Sequence, residues 1–274
     1  MSKYIQIDIK PIDEETAAIA IAELSQTGFD GFLEEENTLK AFCKEADFEE
    51  NDLIILMNKL SLNYSLSTIE DQNWNELWES NFEPVQVDDF VGIRASFHPS
   101  FTNVAYEIVI TPKMSFGTGH HATTYLMMQL MREVDFRDQT VYDFGTGTGI
   151  LAILAEKLGA TKLLAVDNDD WCIENASENI LINRCKYIDI HKVDKCEINS
   201  KYQIILANIN KNIILDNIQS LAYGLEKYGD LILSGLLIED EADIRVACEA
   251  LQLVHKTTVQ RNGWIACRFT GEKL

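Results

Sequence analysis

Over the first seventy residues, segments with an apolar residue at every second position alternate with segments in which apolar residues recur every three or four positions. Ile5, Ile7 and Ile9 alternate with polar residues, which predicts a half-buried strand. Apolar positions three and four residues apart then predict a helix over 14–26, with Asp13 as its N-cap. The full order is β-α-β-β-α-β, which is typical of a ferredoxin-like α+β domain. The later predicted elements are strands at 29–35, 38–44 and 64–69 and a helix that begins at Asn51 or Asp52.

A tryptophan-rich segment separates this region from the rest of the chain. Apolar residues over 73–84 recur at helical spacing, which predicts a linker that is at least partly helical. These residues are Trp74, Leu77, Trp78 and Phe82. Two strands are expected next, at 85–97 and 106–111. The predicted organisation is therefore a ferredoxin-like domain over 1–70, a linker helix over 71–84 and a second domain over 85–274.

The stretch at 141–152 combines a short apolar strand, an acid, three glycines at alternate positions and an amphipathic helix. Glycine lets the backbone turn sharply and approach a ligand closely, and the first turn of a helix offers unpaired N–H groups. The helix ends at a glycine, and a second apolar strand leads to Asp167. These are the parts of a nucleoside-binding βαβ unit. The acid is Asp143 and the glycines are Gly145, Gly147 and Gly149.

Helices and strands alternate over the remaining residues, which predicts a doubly wound α/β fold with a mostly parallel sheet. The last two strands, at 253–260 and 264–270, are joined through Asn262-Gly263, a strong hairpin signal. A terminal hairpin on a parallel sheet is typical of a class I methyltransferase, a Rossmann-like fold, and not of a dinucleotide-binding domain. The other predicted elements are helices at 171–184, 213–227 and 239–251 and strands at 187–193, 202–207 and 230–234, the last followed by a turn at Gly235.

Two ligands fit the glycine loop. Gly147-x-Gly149-x-x-Ala152 matches the relaxed fingerprint for a nicotinamide dinucleotide, with Asp167 at about the right distance. Asp143 would repel a pyrophosphate, however, whereas it suits the α-ammonium group of an amino-acid-bearing nucleoside. Asp-x-Gly-x-Gly-x-Gly is the methyltransferase form of the loop, so we expect S-adenosylmethionine and keep the dinucleotide as the alternative. Asp143 and the glycines would hold its amino-acid end, and Asp167 its ribose hydroxyls.

Composition and charge indicate which kind of partner and which cellular compartment suit this activity. The net charge of −21 at pH 7 suits a basic partner and argues against direct binding of nucleic acid. Residues 1–70 hold 5 Lys and Arg against 15 Asp and Glu, so this region is the more acidic part per residue. Six cysteines without a C-x-x-C pair favour a reducing, cytoplasmic setting and no metal site. No run reaches the length of a membrane span and no signal peptide is recognised, so no membrane association is expected.

Other polar residues fall where a doubly wound sheet binds its ligand, at the carboxyl ends of strands. Asp194 is predicted to accept a hydrogen bond from an adenine amino group, and a solvated loop acid is the alternative. Asn208 ends a strongly apolar strand and is the candidate catalytic residue as well as a cofactor contact. The glycine- and hydroxyl-rich segment 114–124 would lie over the cofactor, with Thr124 closing on it. His120 and His121 within it lack metal-ligand spacing and are interpreted as loop residues.

Four motifs together resemble one family. Residues 116–124 read Phe-Gly-Thr-Gly-His-His-Ala-Thr-Thr and residues 143–149 read Asp-Phe-Gly-Thr-Gly-Thr-Gly, followed by Ala-Asn-Ile at 207–209 and Leu-Ser-Gly-Leu at 233–236. With the ferredoxin-like domain and the linker, they resemble the bacterial ribosomal protein L-eleven methyltransferases over nearly the whole chain. The resemblance places the family's cofactor contacts on Thr124, Gly145, Asp167 and Asn208. The chain departs from the family's more frequent Thr-His-Pro-Thr-Thr at 120–124 and Cys-Gly-Ser at 146–148.

The resemblance implies trimethylation of amino groups, the N-terminus and lysine side chains, of a large-subunit ribosomal protein, either free or on the large subunit. The acidic first domain would then capture this basic substrate. Because the sulfonium methyl is already a strong electrophile, the enzyme mainly supplies alignment. A lysine acceptor must lose its proton before it attacks, and no general base is apparent. Asn208 would orient the amine or hold the cofactor, and the sequence leaves both roles open.

Two other classes of function compete with amine methylation. The first is methylation of RNA or another nucleic-acid target. It is disfavoured because Asn208-Ile209-Asn210-Lys211 lacks the Pro-Pro-aromatic segment that would provide a platform for a planar base, and because the chain is acidic. The second is a non-catalytic module that binds the cofactor and acts through its acidic domain. Another protein as the substrate also stays open.

Overall fold

The computed structural model describes residues 4–24, 27–35, 37–60, 62–69, 82–112, 121–196 and 198–271. The chain divides into two compact units, 1–77 and 78–274. The linker helix predicted over 71–84 lies almost entirely outside the described residues, and so does the segment 113–120 with its Phe-Gly-Thr-Gly motif. The domain boundaries at 70 and 85 therefore stay a prediction.

The first unit is a four-stranded antiparallel sheet with two helices, in the strand order β2-β3-β1-β4. Its inward-facing residues on β1, such as Ile7 and Ile9, are fully buried because they pack with the apolar faces of both helices. This topology confirms the ferredoxin-like fold. Its elements are β1 (Tyr4–Ile9), α1 (Glu14–Leu24), β2 (Phe29–Glu35), β3 (Thr38–Lys44), α2 (Glu50–Leu60) and β4 (Tyr64–Ile69).

The second unit opens with a small sheet of three strands, β5 (Val85–Val87), β6 (Val91–Ala95) and β7 (Tyr106–Ile110). The prediction of one strand over 85–97 is wrong. A turn at residues 88–90, where Asp88 takes a φ of +48°, reverses the chain and pairs β5 antiparallel with β6. Asp tolerates this left-handed conformation better than most residues, and the polar pair Asp88-Asp89 marks the break.

The large sheet has seven strands in the order β10-β9-β8-β11-β12-β14-β13. The first five are parallel, and the terminal hairpin adds β14 and β13 antiparallel. This is the predicted α/β sheet of a class I methyltransferase. Its elements are α3 (Ala122–Met131), β8 (Thr140–Phe144), α4 (Ile150–Lys157), β9 (Lys162–Asp167), α5 (Asp170–Ile182), β10 (Ile188–Lys192), β11 (Tyr202–Asn208), α6 (Lys211–Gly224), β12 (Leu225–Leu237), α7 (Glu241–Ala250), β13 (Leu253–Arg261) and β14 (Trp264–Gly271).

Helices cover both faces of this sheet. α3 and α4 contribute to the core on one face, and α6 and α7 contribute to a second core on the other. The central strand β11 is therefore buried on both sides, which explains its continuous apolar run Ile204-Ile205-Leu206-Ala207. None of the helices described here is both long and apolar enough to cross a membrane.

Gly235 lies within β12 and not in a turn after it, which corrects the prediction of a strand at 230–234. β12 begins at Leu225 and continues to Leu237, and its register against β14 shifts between Ser234 and Leu236. Gly235 takes a φ of +85° in this bulge. A bulge leaves an extra residue unpaired and bends the strand, and it aims the backbone at the loop that follows β11.

Candidate active site

The glycine loop connects β8 to α4 at the carboxyl edge of the sheet. Gly145, Gly147 and Gly149 all have positive φ, between +56° and +79°, and Gly149 is the N-cap of α4. The amides of Gly145 and Thr146 donate to the carbonyl oxygen of Val166 at 2.9 and 3.0 Å, which fixes the loop to β9. An ideal Cβ on Gly145 would lie 2.3 Å from Cγ2 of Ile209, and the φ of +75° is strained for any residue with a side chain, so both features favour glycine. The loop places the N-terminus of α4 at this edge of the sheet, where the amide of Ala152 donates a hydrogen bond to the Asp143 carboxylate.

Asp143 lies inside this loop, with only 2% of its surface exposed. The hydroxyl of Thr146 donates to its Oδ2 at 2.6 Å. Burial raises the pKa of Asp143 to about 7, against the opposing effect of the Thr146 hydrogen bond and with a further rise caused by Asp167. Thr146 stands where the chain departs from the family's Cys-Gly-Ser, and the structure gives its hydroxyl this specific partner.

Asp167 reaches the same loop from the end of β9. Its Oδ2 accepts from the amide of Gly147 at 2.9 Å, and its Oδ1 accepts from the amide of Asp169 at 3.1 Å. A carboxylate offers about four acceptor sites, so both oxygens keep the capacity to accept further donors. The structure therefore brings Asp143, Asp167 and the glycines together at one end of the sheet.

Asn208 joins this group from β11. Ala207 is in register with Phe144, so Asn208 lies beside Gly145 across the two strands. Its Nδ2 donates to Oγ1 of Thr124 at 3.4 Å. Thr124 is 1% exposed and lies in the first turn of α3. Three separate elements thus bring Thr124, Gly145 and Asn208 close together, and their contact with the cofactor stays a prediction.

The loop after Asn208 is held by β12. The amide of Ile209 donates to the carbonyl oxygen of Ser234 at 3.2 Å, and a Cβ on Gly235 would lie 2.1 Å from the carbonyl oxygen of Ile209. Asn210 then caps α6, because its Oδ1 accepts from the amide of Ile213 at 3.1 Å. The sequence predicts a turn at Gly235 and no role for Ser234, whereas in the structure both residues contact the backbone of Ile209, directly after Asn208.

Two predicted residues lie at the margins of the site. His121 is the N-cap of α3, since its Nδ1 accepts from the amide of Thr123 at 3.4 Å, and its ring packs edge-on against Trp264 at 4.6 Å. It is therefore a capping residue, while His120 lies outside the described residues. Asp194 is exposed and follows Val193, whose amide donates to the backbone oxygen of Asp167 at 2.9 Å. Its contact with adenine stays a prediction.

Sequence reasoning missed three asparagines on one face of α5 and just beyond its end. Asn175, Asn179 and Asn183 hydrogen bond to backbone groups at the end of β7 and, through Asn179, to the glycine loop. Their four-residue spacing on the face that turns toward the sheet was the available signal. Among the residues that the structure describes, no group of three or more His, Cys, Asp or Glu side chains is placed to hold a metal ion.

A parallel sheet extended by a terminal hairpin, with an acid and a glycine loop at the carboxyl end of β8, is the cofactor-binding architecture of class I methyltransferases. The cofactor of this class is S-adenosylmethionine, and the protein is a methyltransferase of this class. The family model described as ribosomal protein L11 methyltransferase (PrmA) matches residues 7–272, so the chain belongs to that family.

Individual relatives agree with the family match. The ribosomal protein L11 methyltransferase of Porphyromonas gingivalis is 41% identical over 257 residues, which cover 91% of this chain and 89% of that protein. The protein of the same name from Bacteroides thetaiotaomicron is 35% identical over 98% of this chain and 99% of its own length. The crystal structure of ribosomal protein L11 methylase from Lactobacillus delbrueckii subsp. bulgaricus matches with a TM-score of 0.64 and 29% identity, over 70% of this chain and all of that chain.

Proposed function

We propose that the protein transfers methyl groups from S-adenosylmethionine to amino groups of ribosomal protein L11, with the N-terminus and lysine side chains as acceptors and trimethyl amines as products. One observation carries the proposal: the family match runs from residue 7 to residue 272 and therefore includes both compact units. The convergence of Thr124, Gly145 and Asn208 supports the same reading, because it places a polar side chain beside the glycine loop.

The proposed roles follow from the positions of the side chains. S-adenosylmethionine supplies an electrophilic methyl group, so the protein has to hold the acceptor amine in line with it. Asp143 and the glycine loop bind the amino-acid end of the cofactor, and Asp167 accepts from its ribose hydroxyls. Asn208 uses Nδ2 toward Thr124, which leaves Oδ1 to accept from the acceptor amine.

The buried Asp143 predicts an unusual pH dependence of cofactor binding. The ammonium group of S-adenosylmethionine pairs with the ionised carboxylate, and the pKa of Asp143 is about 7 without ligand. We therefore expect affinity to increase as the pH rises from about 5.5 to 7, by up to roughly tenfold per unit below the pKa, and to decline above about pH 8, where the α-amino group of the cofactor loses its proton. Calorimetric titration at constant ionic strength measures this, and Asp143→Asn should remove the dependence. An affinity that is flat across this range would contradict the pairing.

The stability of the ligand-free protein should change in the opposite direction. The pKa of Asp143 is higher in the folded chain than the value of about 3.9 expected for an unfolded chain. Its contribution to stability is therefore complete below about pH 4 and is lost as the pH rises through about 7. Thermal unfolding without and with cofactor should show the largest stabilisation by the cofactor at about pH 7.5, where the ionised carboxylate and the protonated amino group coexist most often.

The charge of the chain supports a basic protein as the substrate. The net charge of −21 favours association with a cationic partner and opposes contact with exposed RNA phosphates. We propose that the first domain captures ribosomal protein L11, free or on the large subunit, and that the reaction takes place in the cytoplasm. Six cysteines without a C-x-x-C pair suit a reducing compartment.

The proposal can be tested by incubating the protein with radiolabelled S-adenosylmethionine and the ribosomal proteins and rRNA of its own host. Label on the L11 band, located by peptide mass spectrometry to its N-terminus and lysines, is the expected result. Asp167→Ala is the control, because it removes the proposed ribose acceptor without touching the protein-capture surface. Label confined to rRNA or to another protein would overturn the substrate, and no label on any component would favour a binding module.

The division of labour between the two domains gives a separate prediction. A shortened chain that begins near Asn73 should retain close to full affinity for S-adenosylmethionine, because every proposed cofactor residue lies beyond it. It should lose most methylation of the intact substrate, because docking no longer raises the effective concentration of the acceptor. In the full-length enzyme, KM for the substrate should increase with salt, since exposed charges are screened beyond about 8–10 Å. Equal kcat/KM values for both chains would make the acidic domain a solubilising appendage.

A further inference from the structure

Asn179 is a fully buried polar side chain that the catalytic assignments do not use. It lies on α5 with 0% of its surface exposed, and both ends of its carboxamide have backbone partners. Its Nδ2 donates to the carbonyl oxygen of Thr148 at 2.9 Å, within the glycine loop. Its Oδ1 accepts from the amide of Thr111 at 2.8 Å, directly after β7. One side chain therefore connects two segments that are 37 residues apart in the sequence.

The two segments have different tasks at the site. Thr148 stands between Gly147 and Gly149, so its peptide unit helps to set the shape of the cofactor loop. Thr111 leads into the segment 113–120, after which α3 begins at Ala122 and carries Thr124 to Asn208. A shift of the Thr148 peptide would change the shape of the glycine loop and would move the cofactor that this loop is proposed to hold. An error of about 1 Å in such an alignment can cost on the order of a hundredfold in rate.

We infer that Asn179 is a positioning residue for methyl transfer, because it ties the glycine loop to the chain that leads toward Thr124. This inference rests on the proposed assignment of the glycine loop to the cofactor. A buried amide that satisfies both of its partners gives a unique geometry, and leaving either partner unpaired is costly. The neighbouring Asn175 extends the connection, since its Nδ2 donates to the carbonyl oxygen of Thr111 at 3.2 Å.

The substitution Asn179→Asp converts this connection into one that responds to pH. A protonated carboxyl has the size of the amide and can both donate to Thr148 and accept from Thr111. Burial raises the pKa of an introduced carboxyl, so this neutral form persists in acid. Once ionised, the carboxylate has no proton to donate and its oxygen faces the carbonyl oxygen of Thr148. The hydrogen-bond partners of the side chain at position 179 are Asn175 on α5, Thr111 directly after β7 and Thr148 in the glycine loop. None of these three side chains changes its charge over this pH range.

The chain offers a matched control at Asn183. Its Oδ1 accepts from the amide of Val109 at 3.0 Å and its Nδ2 donates to the carbonyl oxygen of Val109 at 2.6 Å. It therefore bonds the same strand, one turn further along the same helical face, and its side chain contacts Val109 on β7 and the backbone oxygen of Asn179 on α5. Asn183→Asp makes the same chemical change without touching Thr148.

The experiment is a calorimetric titration of S-adenosylmethionine into the full-length wild type, Asn179→Asp, Asn183→Asp and Asp167→Ala at pH values from 5.5 to 8.5. For Asn179→Asp we expect affinity near that of the wild type in acid and at least tenfold weaker binding than the wild type at the alkaline end. Asn183→Asp should follow the wild type. Equal alkaline losses in both asparagine variants, or none in Asn179→Asp, would overturn the inference.

Asp167→Ala separates this outcome from a failure of the cofactor assignment. At least tenfold weaker binding in Asp167→Ala with a flat profile in Asn179→Asp rejects only the role of Asn179. Unchanged binding in Asp167→Ala rejects the cofactor site and the inference with it. If Asn179→Asp is too unstable to titrate, NMR of the wild type provides the test. Exchange of the Asn179 side-chain amide protons should slow when S-adenosylmethionine saturates the protein, because coupling is reciprocal, and unchanged exchange would contradict the inference.

Discussion

We expect Gly235→Ala to disrupt the bulge of β12 that holds the loop after Asn208, and to reduce methyl transfer by about a hundredfold or more. An ideal Cβ at this position would lie 2.1 Å from the carbonyl oxygen of Ile209, a backbone atom that cannot move aside as a side chain can. The φ of +85° adds strain of roughly 1–2 kcal/mol for any residue with a Cβ. Overpacking of this kind costs about 1–3 kcal/mol more. We therefore expect a loss of about 2–5 kcal/mol in the free energy of unfolding.

Gly263→Ala separates the stability loss caused by backbone strain from the loss caused by the contact with Ile209. Gly263 has nearly the same φ, +82°, in the terminal hairpin, but a Cβ there would meet nothing within 4 Å. This variant should show the strain alone, with activity close to that of the wild type. Urea unfolding of both variants, together with methylation rates, measures the difference between them. If Gly235→Ala is no less stable and no less active than Gly263→Ala, the contact with Ile209 does not support the active site.

Periodicity predicts the parts of this fold whose causes are local. The alternation of Ile5, Ile7 and Ile9 identifies β1, and the Asn262-Gly263 pair identifies the hairpin, since both residues there take positive φ. The continuous apolar run before Asn208 identifies a strand that is covered on both faces. The acid-glycine loop predicts the site because the chemistry of the ligand requires those residue types at that spacing.

The features that the sequence does not predict depend on contacts between distant segments of the chain or on local backbone geometry. Gly235 resembles a turn residue until β14 continues the sheet beyond it and makes it a bulge. The asparagines of α5 resemble ordinary helix positions until β7 supplies backbone groups for them, 64 to 74 residues earlier in the chain. Strand 85–97 appears continuous because the turn depends on a positive φ at Asp88, a conformation that aspartate tolerates but does not by itself predict.

Asn208→Ala is the second substitution for which a large loss is expected. If Oδ1 of Asn208 accepts from the attacking amine, its removal leaves the amine free to rotate away from the methyl group. Since a misalignment of about 1 Å costs on the order of a hundredfold, we expect the single-turnover rate at saturating cofactor to fall by about that factor. Folding should change little, because the side chain is half-buried and its one direct bond, to Thr124, is 3.4 Å long.

Two measurements separate the roles that remain open for Asn208. Calorimetry of S-adenosylmethionine binding should show nearly unchanged affinity if the residue orients the amine, and a loss of about tenfold if it holds the cofactor through a hydrogen bond of about 1.4 kcal/mol. Asn208→Asp keeps an acceptor oxygen of the same reach but loses the donor to Thr124, so it should retain more activity than Asn208→Ala if the amine is the partner. Thr124→Val removes the acceptor of Nδ2 and should reproduce only the part of the loss that comes from a misplaced Asn208. A near-normal single-turnover rate in Asn208→Ala would show that the position is not catalytic, and alignment would then rest on the glycine loop and on Asp167.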